Sequence, residues 1–466
     1  MPPPVLNNQP QTKPIIPRAA YLSLALLLSI NLFNYIDRFV LAALEPEIGE
    51  AFFPGHAYEA NTMARTGSLA TVFLFTYLLA APILGYLADR MSRWVLIAIS
   101  VAIWSVATAG SGWATTFAVL LLMRCIVGIG EAGYGPAAPT IISDLFPVER
   151  RGRVLSWFFM AIPVGSALGY VIGSIIGKYF GWRVAFFVVT PPGLLLAGLA
   201  LFMTDPRKVL RPYANQGSPG CTSGAPIAYA RILHDPNRSR IHQYLSLFKN
   251  RSYVLDTFGM AAMTFAIGGV SFWMPRYLCG DVAHGCRGLP DSAKATFGII
   301  TAAMGLLATL LGGLAGDWLR PRFSGSYFIV SAGGMFAACP FIVLMLVMPF
   351  PWAWIPLAGC VFFLFFNTGP SNTILANVTH PAIRASAFAV NIFIIHLLGD
   401  ATAPVLLGEA AGRFGWNGAF VVVIAAMILA GILWLMGAPT LQRDTEAVEA
   451  MTAPEHGNEP RAGLAT

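Results

Sequence analysis

Two charged side chains stand side by side inside an apolar stretch. Asp37 and Arg38 lie within residues 20–44, a segment that is otherwise almost purely apolar. About 20 apolar residues are enough to cross a lipid bilayer as a helix. A charge at the centre of such a helix costs about 2.5–3.5 kcal/mol on the insertion scale, and charges kept there usually serve an ion or substrate pathway. We therefore interpret the pair as functional. The alternative is an ion pair that only fixes helix packing.

A second set of polar residues lies in another apolar segment. Arg124, Gly128 and Glu131 are spaced by four and seven residues, which places them on one helix face. Asn34 and Arg38 form a similar stripe in the first segment. If both stripes face the protein interior, four ionisable side chains converge.

The convergence of acids and arginines suits proton transfer. Desolvation and a neighbouring arginine act on a buried carboxylate in opposite directions, which allows reversible protonation near neutral pH. We predict that Asp37 and Glu131 are the proton-coupling acids, and static ion pairs are the alternative. Arginine pairs bidentately with carboxylate or phosphate. Arg38 and Arg124, with Asn34, are therefore predicted either to hold the acids or to bind an anionic headgroup.

Polar residues in the second half of the chain are fewer. The predicted substrate-binding residues there are Asn367, Ser371, Asn391 and His396. Asp400 is expected near the outer end of its span, in contact with water. The surrounding segments are rich in Phe, Leu and Met, for example residues 361–366. A cavity that is charged on one side and apolar on the other suits an amphipathic cargo, and the alternative is that these phenylalanines face lipid.

The composition indicates an integral membrane protein. The 466 residues are 56% hydrophobic and 11% charged, whereas soluble domains carry about 25% charged residues. Long unbroken apolar runs indicate helices rather than a barrel. P-loop, HExxH and GxSxG motifs are absent, so neither ATP-driven pumping nor common hydrolysis is supported. We expect no enzyme activity, no metal and no cofactor, with a proton gradient as the energy source.

The apolar runs predict twelve spans in two six-helix bundles. The predicted units are a disordered cytoplasmic N-terminus (1–19), an N-terminal bundle (20–203), a central cytoplasmic loop (204–251), a C-terminal bundle (252–437) and a cytoplasmic C-terminal tail (438–466). FGWRVAFFVV begins at Phe180 and FGWNGAFVVV at Phe414, 234 residues later, and Gly135 and Gly369 share that offset. Parallel repeats with a site at their interface are typical of secondary transporters.

Basic residues predict the orientation. Most Lys and Arg flank the spans on the side of the central loop, which the positive-inside rule makes cytoplasmic. Both termini are then cytoplasmic. Cys279 and Cys286 face outward, where a disulfide is expected, and two free thiols are the alternative. Glycines at intervals of four in the fifth span (Gly165, Gly169, Gly173, Gly177) predict close contact with a neighbour such as span one or span eight.

A glycine-and-charge motif joins spans two and three. It runs Gly85-Tyr-Leu-Ala-Asp89-Arg90-Met-Ser-Arg93 and has a second copy around Asp317. We predict a cytoplasmic gate across the two halves, and a tight turn with topology-setting charges is the alternative. The predicted gate residues are Asp89, Arg90, Arg93, Arg150, Asp317, Arg320 and Arg384.

This motif, with two six-span halves, resembles the major facilitator superfamily. NYIDR (34–38), GIGEAGYGPAAPTIISDLFP (128–147) and RGRVLSWFFMAIPVGSALGYVIG (151–173) resemble the Spinster family of lipid transporters within it. The resemblance implies proton-linked movement of lysophospholipids or sphingosine phosphates. It also implies Asp37 and Glu131 as the protonatable acids, with Arg38 and Arg124 as their partners or as headgroup ligands.

The sequence therefore predicts an all-α, proton-coupled lipid transporter that works by alternating access. We expect a monomer in a bacterial inner membrane, with a lipid or amphipathic substrate and no nucleic-acid partner. One alternative is an organic-anion/proton symporter, a group that shares N-Y-x-D-R, or a drug/proton antiporter. Another is a non-transporting receptor or sensor, which would not need the intact acids Asp37 and Glu131.

Overall fold

The computed structural model describes residues 18–146, 148–205, 247–379 and 383–452. Within these ranges the side chains of Asp89 and Arg150 are not described, so their predicted gate roles lie outside the described residues. The same holds for most of the predicted N-terminal and central cytoplasmic segments.

The described residues are helical, and no strand occurs among them. The first six helices are α1 (Arg18–Phe52), α2 (Ala60–Arg90), α3 (Arg93–Trp113), α4 (Phe117–Leu145), α5 (Val148–Phe180) and α6 (Trp182–Leu201). After the central segment come α7 (Arg251–Cys279), α8 (Ser292–Leu319), α9 (Ser326–Val347), α10 (Trp354–Phe365), α11 (Thr368–Asn377), α12 (Arg384–Ile395), α13 (Ala403–Gly437) and α14 (Leu441–Thr452). A short 3₁₀ turn covers Val282–His284, and a π-helix covers His396–Asp400. We call α1–α6 the N-terminal half and α7–α13 the C-terminal half.

Twelve crossings of a bilayer follow from these helices. The described residues contain 11 stretches that are long and apolar enough to span, and the last of them runs over 51 residues from Ala387 to Gly437. A helix of that length would extend about 75 Å, far more than the roughly 30 Å of a hydrocarbon core. Gly415 breaks it with φ +70°, so two spans meet there. The predicted twelve-helix architecture is confirmed.

The internal repeat has a backbone counterpart. Gly181, between α5 and α6, has φ +85° and ψ 157°, and Gly415 has φ +70° and ψ 178°. Side-chain-bearing residues rarely adopt positive φ, so the glycine of each FGW motif makes the turn possible. The two sequence repeats therefore form the same hairpin between the last two spans of each half.

Small residues on α5 hold α1 in place. A Cβ on Gly165 would lie 2.6 Å from Tyr35, one on Gly169 would lie 2.7 Å from Phe39, and one on Gly173 would lie 2.7 Å from Ala43. Only glycine permits helices to approach this closely. The predicted contact of the glycine stripe is thus with the first span, the helix that carries Asp37 and Arg38.

The molecule has two ends along the helix axes. The termini face is the end where α1 begins, α6 ends and α7 begins, and the opposite face is the end where α1 and α7 finish at Phe52 and Cys279. Between the halves, α1 packs on α7, α2 on α13 and α5 on α8. At the opposite face, Gly67 packs on the backbone of Pro404 and Gly408 on that of Met63. The halves are therefore in close contact there.

Helix α14 lies at the termini face, within the predicted C-terminal tail. The Asp444 carboxylate accepts a hydrogen bond of 3.0 Å from the backbone N–H of Ser252, and the Thr440 and Ser252 hydroxyls are 2.7 Å apart. Burial raises the pKa of Asp444, but hydrogen bonds from Ser252 and Arg443 outweigh it and hold that pKa below its ordinary value. The α14 helix therefore caps the start of α7 with a negative charge, which suits a helix N-terminus.

Candidate functional site

Helices α1 and α4 bring Arg38 and Glu131 together in the N-terminal half. The Arg38 Nε donates to Glu131 Oε2 at 2.7 Å, and Arg38 Nη2 lies 2.6 Å from the same oxygen. The Glu131 side chain is fully buried, whereas that of Arg38 is 21% exposed. Asn34, one turn before Arg38 on α1, is also buried, and Glu131 Oε1 has no hydrogen-bond partner. In this group, the arginine is the part that an entering solute can reach.

The second pair, Asp37 and Arg124, lies deeper. Their nearest atoms, Asp37 Oδ1 and Arg124 Nη1, are 4.0 Å apart, and both side chains are at most 5% exposed. The Thr108 hydroxyl of α3 donates to Asp37 Oδ2 at 2.8 Å. Asp37 Oδ1 and Arg124 Nη1 form no hydrogen bond. Asp37 is thus only partly compensated, and it is enclosed by α3 and α4.

Aromatic rings surround the Arg38 guanidinium. Its Cζ atom lies 5.2 Å from the ring centre of Tyr35, 4.8 Å from that of Phe73 and 5.6 Å from that of Tyr77. Each cation–π contact contributes about 0.5–2 kcal/mol. Tyr35 lies on α1, and Gly128 of α4 allows α2 to approach with Phe73 and Tyr77, because a Cβ at Gly128 would clash with the Phe73 carbonyl. We call Arg38, Glu131, Asp37 and Arg124 with these rings the Arg38 cluster.

The C-terminal half presents a His–Asp pair toward this cluster. His396 Nδ1 lies 2.9 Å from Asp400 Oδ1, and the two side chains are 28% and 23% exposed. The π-helix that carries both residues packs on α2, the helix of Phe73 and Tyr77. Asp400, expected to contact water near the outer end of its span, is partly exposed and pairs with His396 within a π-helix. Single π-turns of this kind often occur at functional sites.

The other polar residues predicted in the C-terminal half contact their own surroundings. Asn391 Nδ2 donates to Thr257 Oγ1 of α7 at 3.1 Å. Asn367 Nδ2 donates to Leu364 O, and Ser371 Oγ donates to Asn367 O, each at 2.8 Å. All three side chains are buried, and none hydrogen-bonds to the Arg38 cluster. The structure therefore places only His396 of this group beside the cluster.

The two described gate residues of the N-terminal half, Arg90 and Arg93, contact neighbours within that half. Arg93 Nη2 lies 2.5 Å from Asp144 Oδ2 and 3.4 Å from Asp205 Oδ1. The Arg90 guanidinium lies 4.0 Å from the Tyr86 ring. Asp144 and Asp205 were not predicted, although both follow apolar segments at the face where Arg93 begins α3.

The described gate residues of the C-terminal half also contact neighbours within their own half. Asp317 Oδ1 accepts a 2.7 Å hydrogen bond from the Tyr327 hydroxyl, and Arg320 lies 5.8 Å from that ring. Arg384 Nη2 donates to Thr379 O at 3.4 Å. None of the gate residues with a described side chain pairs across the halves, and Asp89 and Arg150 lie outside the described side chains, so the latch stays a prediction.

A buried ion pair joins the halves at the opposite face instead. The Arg276 guanidinium of α7 contacts the Glu45 carboxylate of α1 through Nε–Oε2 at 2.5 Å and Nη2–Oε1 at 2.9 Å. Arg276 Nη1 also donates to Ala57 O at 3.0 Å. The side chains are 1% and 0% exposed. The pair is therefore bidentate and wholly removed from water.

Two further contacts extend this junction. Lys294 Nζ of α8 lies 2.5 Å from Glu47 Oε1 of α1, and the Lys294 side chain is 1% exposed. The Asp281 N–H donates to the Tyr58 hydroxyl at 2.8 Å. We call the Glu45–Arg276 and Glu47–Lys294 pairs the opposite-face seal. The sequence analysis did not predict these pairs, although the acids on either side of Pro46, at the end of the first apolar run, indicated that basic partners exist.

The disulfide predicted between Cys279 and Cys286 is not formed, and both thiols are free. Cys279 Sγ donates to Pro290 O at 3.4 Å, and Cys286 Sγ accepts from Trp416 Nε1 at 3.0 Å. Each sulfur therefore has its own partner. Burial also raises the pKa of the Cys286 thiol, to about 11, despite the opposing Trp416 hydrogen bond.

Comparisons with known proteins identify the family of the chain. The sequence model of the Major Facilitator Superfamily matches residues 27–404. Protein spinster homolog 3 of Danio rerio is 33% identical over 487 aligned residues, which cover 98% of this chain and 92% of the relative. Sphingosine-1-phosphate transporter SPNS2 of Mus musculus is 35% identical over 84% of this chain and 68% of its own length.

Solved structures share the fold. A bacterial homologue of the human lysosomal transporter Spinster, in an inward-facing and unoccupied conformation, matches with a TM-score of 0.72 and 21% identity, over 94% of this chain and 98% of that one. A D-xylose-proton symporter matches with a TM-score of 0.68 and 19% identity, over 90% and 98%. Identities this low bear on the fold alone. The family model and the relatives by sequence show that the chain belongs to the Spinster family of the Major Facilitator Superfamily and is a multi-pass membrane transporter rather than an enzyme.

Proposed function

We propose that this chain is a proton-coupled secondary transporter of lipids that have one anionic headgroup and one apolar tail, such as lysophospholipids or sphingosine phosphates. The observation that carries the proposal is the ion pair between a fully buried Glu131 and a partly exposed Arg38. Three of the relatives by sequence are named as sphingosine-1-phosphate transporters, which supports the substrate class.

The Arg38 guanidinium is the headgroup ligand in this proposal. A phosphate can take the bidentate position that the Glu131 carboxylate now occupies, since both groups present paired oxygens. The rings of Phe73 and Tyr77 limit the guanidinium to a small range of positions. His396, across the halves, is placed to donate a further hydrogen bond to the same headgroup.

Competition for Arg38 couples the lipid to the proton. When a headgroup draws the guanidinium away, Glu131 is left as a buried carboxylate without a cation, a state that costs several kcal/mol. Glu131 then takes up a proton. Asp37, held by Thr108 and near Arg124, is the second acid of this exchange. Proton and lipid binding thus favour each other, and by reciprocity each raises the affinity for the other equally.

The apolar tail requires an apolar surface. Helices α9 and α10 and the residue after α10 offer a row of rings, with the centres of Phe362 and Phe366 5.5 Å apart and those of Phe341 and Phe363 5.5 Å apart. All four rings are partly exposed. We propose that the tail lies along them, and the alternative is that they face membrane lipid.

Access alternates between the two faces. We propose that the termini face is cytoplasmic, that the membrane is a bacterial inner membrane, and that the chain acts as a monomer driven by the proton gradient without a cofactor. In the present conformation the opposite-face seal closes the outer side. The predicted gate residues Asp89, Arg93 and Arg150, with Asp317 and Arg384, would close the cytoplasmic side in the other conformation.

The proposal is tested with purified protein in liposomes that contain a pH-sensitive dye. Lysophospholipids, sphingosine phosphate and small sugar acids are added in turn, with Glu131→Gln as the control variant. Proton flux with the lipids alone, lost in the variant, is the expected result. Flux with the small acids alone would replace this proposal with an organic-anion/proton symporter. Lipid movement without proton flux would remove the coupling.

A further inference from the structure

A buried acid in the C-terminal half takes no part in the Arg38 cluster. Asp256 lies on α7, five residues beyond Arg251 and near the termini face, and it is 0% exposed. The Trp434 indole of α13 donates to its Oδ1 at 3.1 Å. Its Oδ2 is buried and has no hydrogen-bond partner.

The surroundings of Asp256 offer no cation. No Lys, Arg or His among the described residues lies within ion-pair distance of it, and its described side-chain partner is the Trp434 indole. The nearest titratable side chain is Tyr253 on α7 itself, whose hydroxyl donates to Ala387 O of α12. In this region α12 otherwise presents the amide of Asn391, α13 presents the Trp434 indole, and the closest charges on α14 are Asp444 and Arg443. Asp256 thus differs from Asp37, Glu45, Glu47 and Glu131, each of which has a basic partner.

The neutral acid fits this site and the carboxylate does not. An ionised carboxylate without a cation, hydrogen-bonded to a single N–H, costs several kcal/mol when buried. A protonated acid needs only one donor at its carbonyl oxygen, which Trp434 supplies. Gly259 keeps the indole in place, because a Cβ there would lie 2.6 Å from Trp434 Nε1. Trp434 itself is 0% exposed, so no water reaches the acid while α7 and α13 are packed.

We propose that Asp256 is a proton-binding site separate from the Arg38 cluster, and that its proton keeps the termini-face part of α7 packed against α13. Loss of the proton requires that the two helices separate and admit water. Movement of α7 and release of this proton are therefore one event. The inference requires neither the lipid substrate nor the coupling role of Glu131.

Infrared spectroscopy of the full chain in lipid tests the first part. A protonated carboxylic acid gives a carbonyl stretch above the amide I band. At neutral pH we expect such a band in the wild type, lost in Asp256→Asn and retained in Asp37→Asn. Trp434→Phe should move the band to higher frequency, since the carbonyl loses its donor. An identical spectrum for wild type and Asp256→Asn would overturn the proposal.

Spin-label distances test the second part. Labels replace Phe258 on α7 and Leu435 on α13, both exposed, in a cysteine-free background. With rising pH, the label distance should lengthen over the range in which the infrared band disappears. Asp256→Asn, whose amide cannot ionise, should show no pH dependence. A pH response in that variant equal to the wild type, or a wild-type distance that stays constant after the band has gone, would refute the link.

Discussion

Replacement of Glu45 by Gln should open the opposite face. Arg276 is 1% exposed and makes two close contacts with the Glu45 carboxylate, at 2.5 and 2.9 Å. Removal of one partner of such a buried pair costs about 3–5 kcal/mol. Gln keeps one acceptor oxygen for the guanidinium, so we expect the lower end of that range.

The loss of the Glu45 carboxylate destabilises only the conformation in which the opposite face is closed. When the opposite face opens, Arg276 becomes hydrated, and the loss of the carboxylate matters little there. A change of about 3 kcal/mol in the closed state alone shifts the closed-to-open ratio on the order of 100-fold. A population that is about 99% closed would become evenly divided.

Spin labels at Phe180 and Phe414 report this change. Both side chains are exposed, at 70% and 74%, and both belong to the repeated FGW turns of the opposite face. We expect one short distance in the wild type and an added longer distance in Glu45→Gln. Asp144→Asn is the matched control, since it removes the partner of Arg93 within one half. A single short distance in Glu45→Gln, with unchanged melting temperature, would show that the ion pair does not close the face.

Three further predictions use other contacts. Glu131→Gln should remove lipid-driven proton flux while lipid binding remains. The liposome assay measures the flux and a binding titration measures the lipid affinity. Retained flux would contradict the role of Glu131. Gly49→Ala should open the opposite face as well, because its Cβ would clash with the Arg276 guanidinium of the seal, whereas a Cβ on Gly198 of α6 meets nothing within 4 Å, so Gly198→Ala serves as the control; equal label distances in both variants would count against the seal. The pKa of Asp444 is lowered on folding from its ordinary 3.8, so its contribution to the docking of α14 is full above that pH and is lost as the pH falls below it. Hydrogen exchange in α14, corrected for the intrinsic rate, should therefore speed up at the lower pH. An unchanged exchange rate would exclude the carboxylate as the anchor.

The span pattern and the convergence of α1 with α4 could be predicted from the sequence. Apolar length determines the number of crossings, and a spacing of four and seven residues determines the helix face, so Arg124, Gly128 and Glu131 could be placed on one side without coordinates. The repeat predicted that residues 180 and 414 correspond, and the positive φ of Gly181 and Gly415 reflects that correspondence.

The contributions of other helices could not be predicted. Thr108 and Phe73 reach the Arg38 cluster because of the axial rotation of α3 and α2, which depends on contacts distant in sequence. The partners of Arg276 and Lys294 depend on how deeply each residue sits when the halves are closed, and local hydropathy does not determine that depth. The free thiols of Cys279 and Cys286 likewise follow from tertiary neighbours, Pro290 and Trp416.

Helix α1 carries both Arg38 and Glu45. Seven residues separate them, which is two helical turns, so the two side chains lie on the same face about 10 Å apart. Arg38 pairs with Glu131, the acid that exchanges protons in our proposal, and Glu45 pairs with Arg276 in the opposite-face seal. If a bound headgroup moves Arg38 and thereby rotates or shifts α1 along its axis, Glu45 moves with it, because both residues belong to the same helix. Lipid binding at Arg38 can therefore be coupled to the opposite-face seal through the backbone hydrogen bonds of α1 alone.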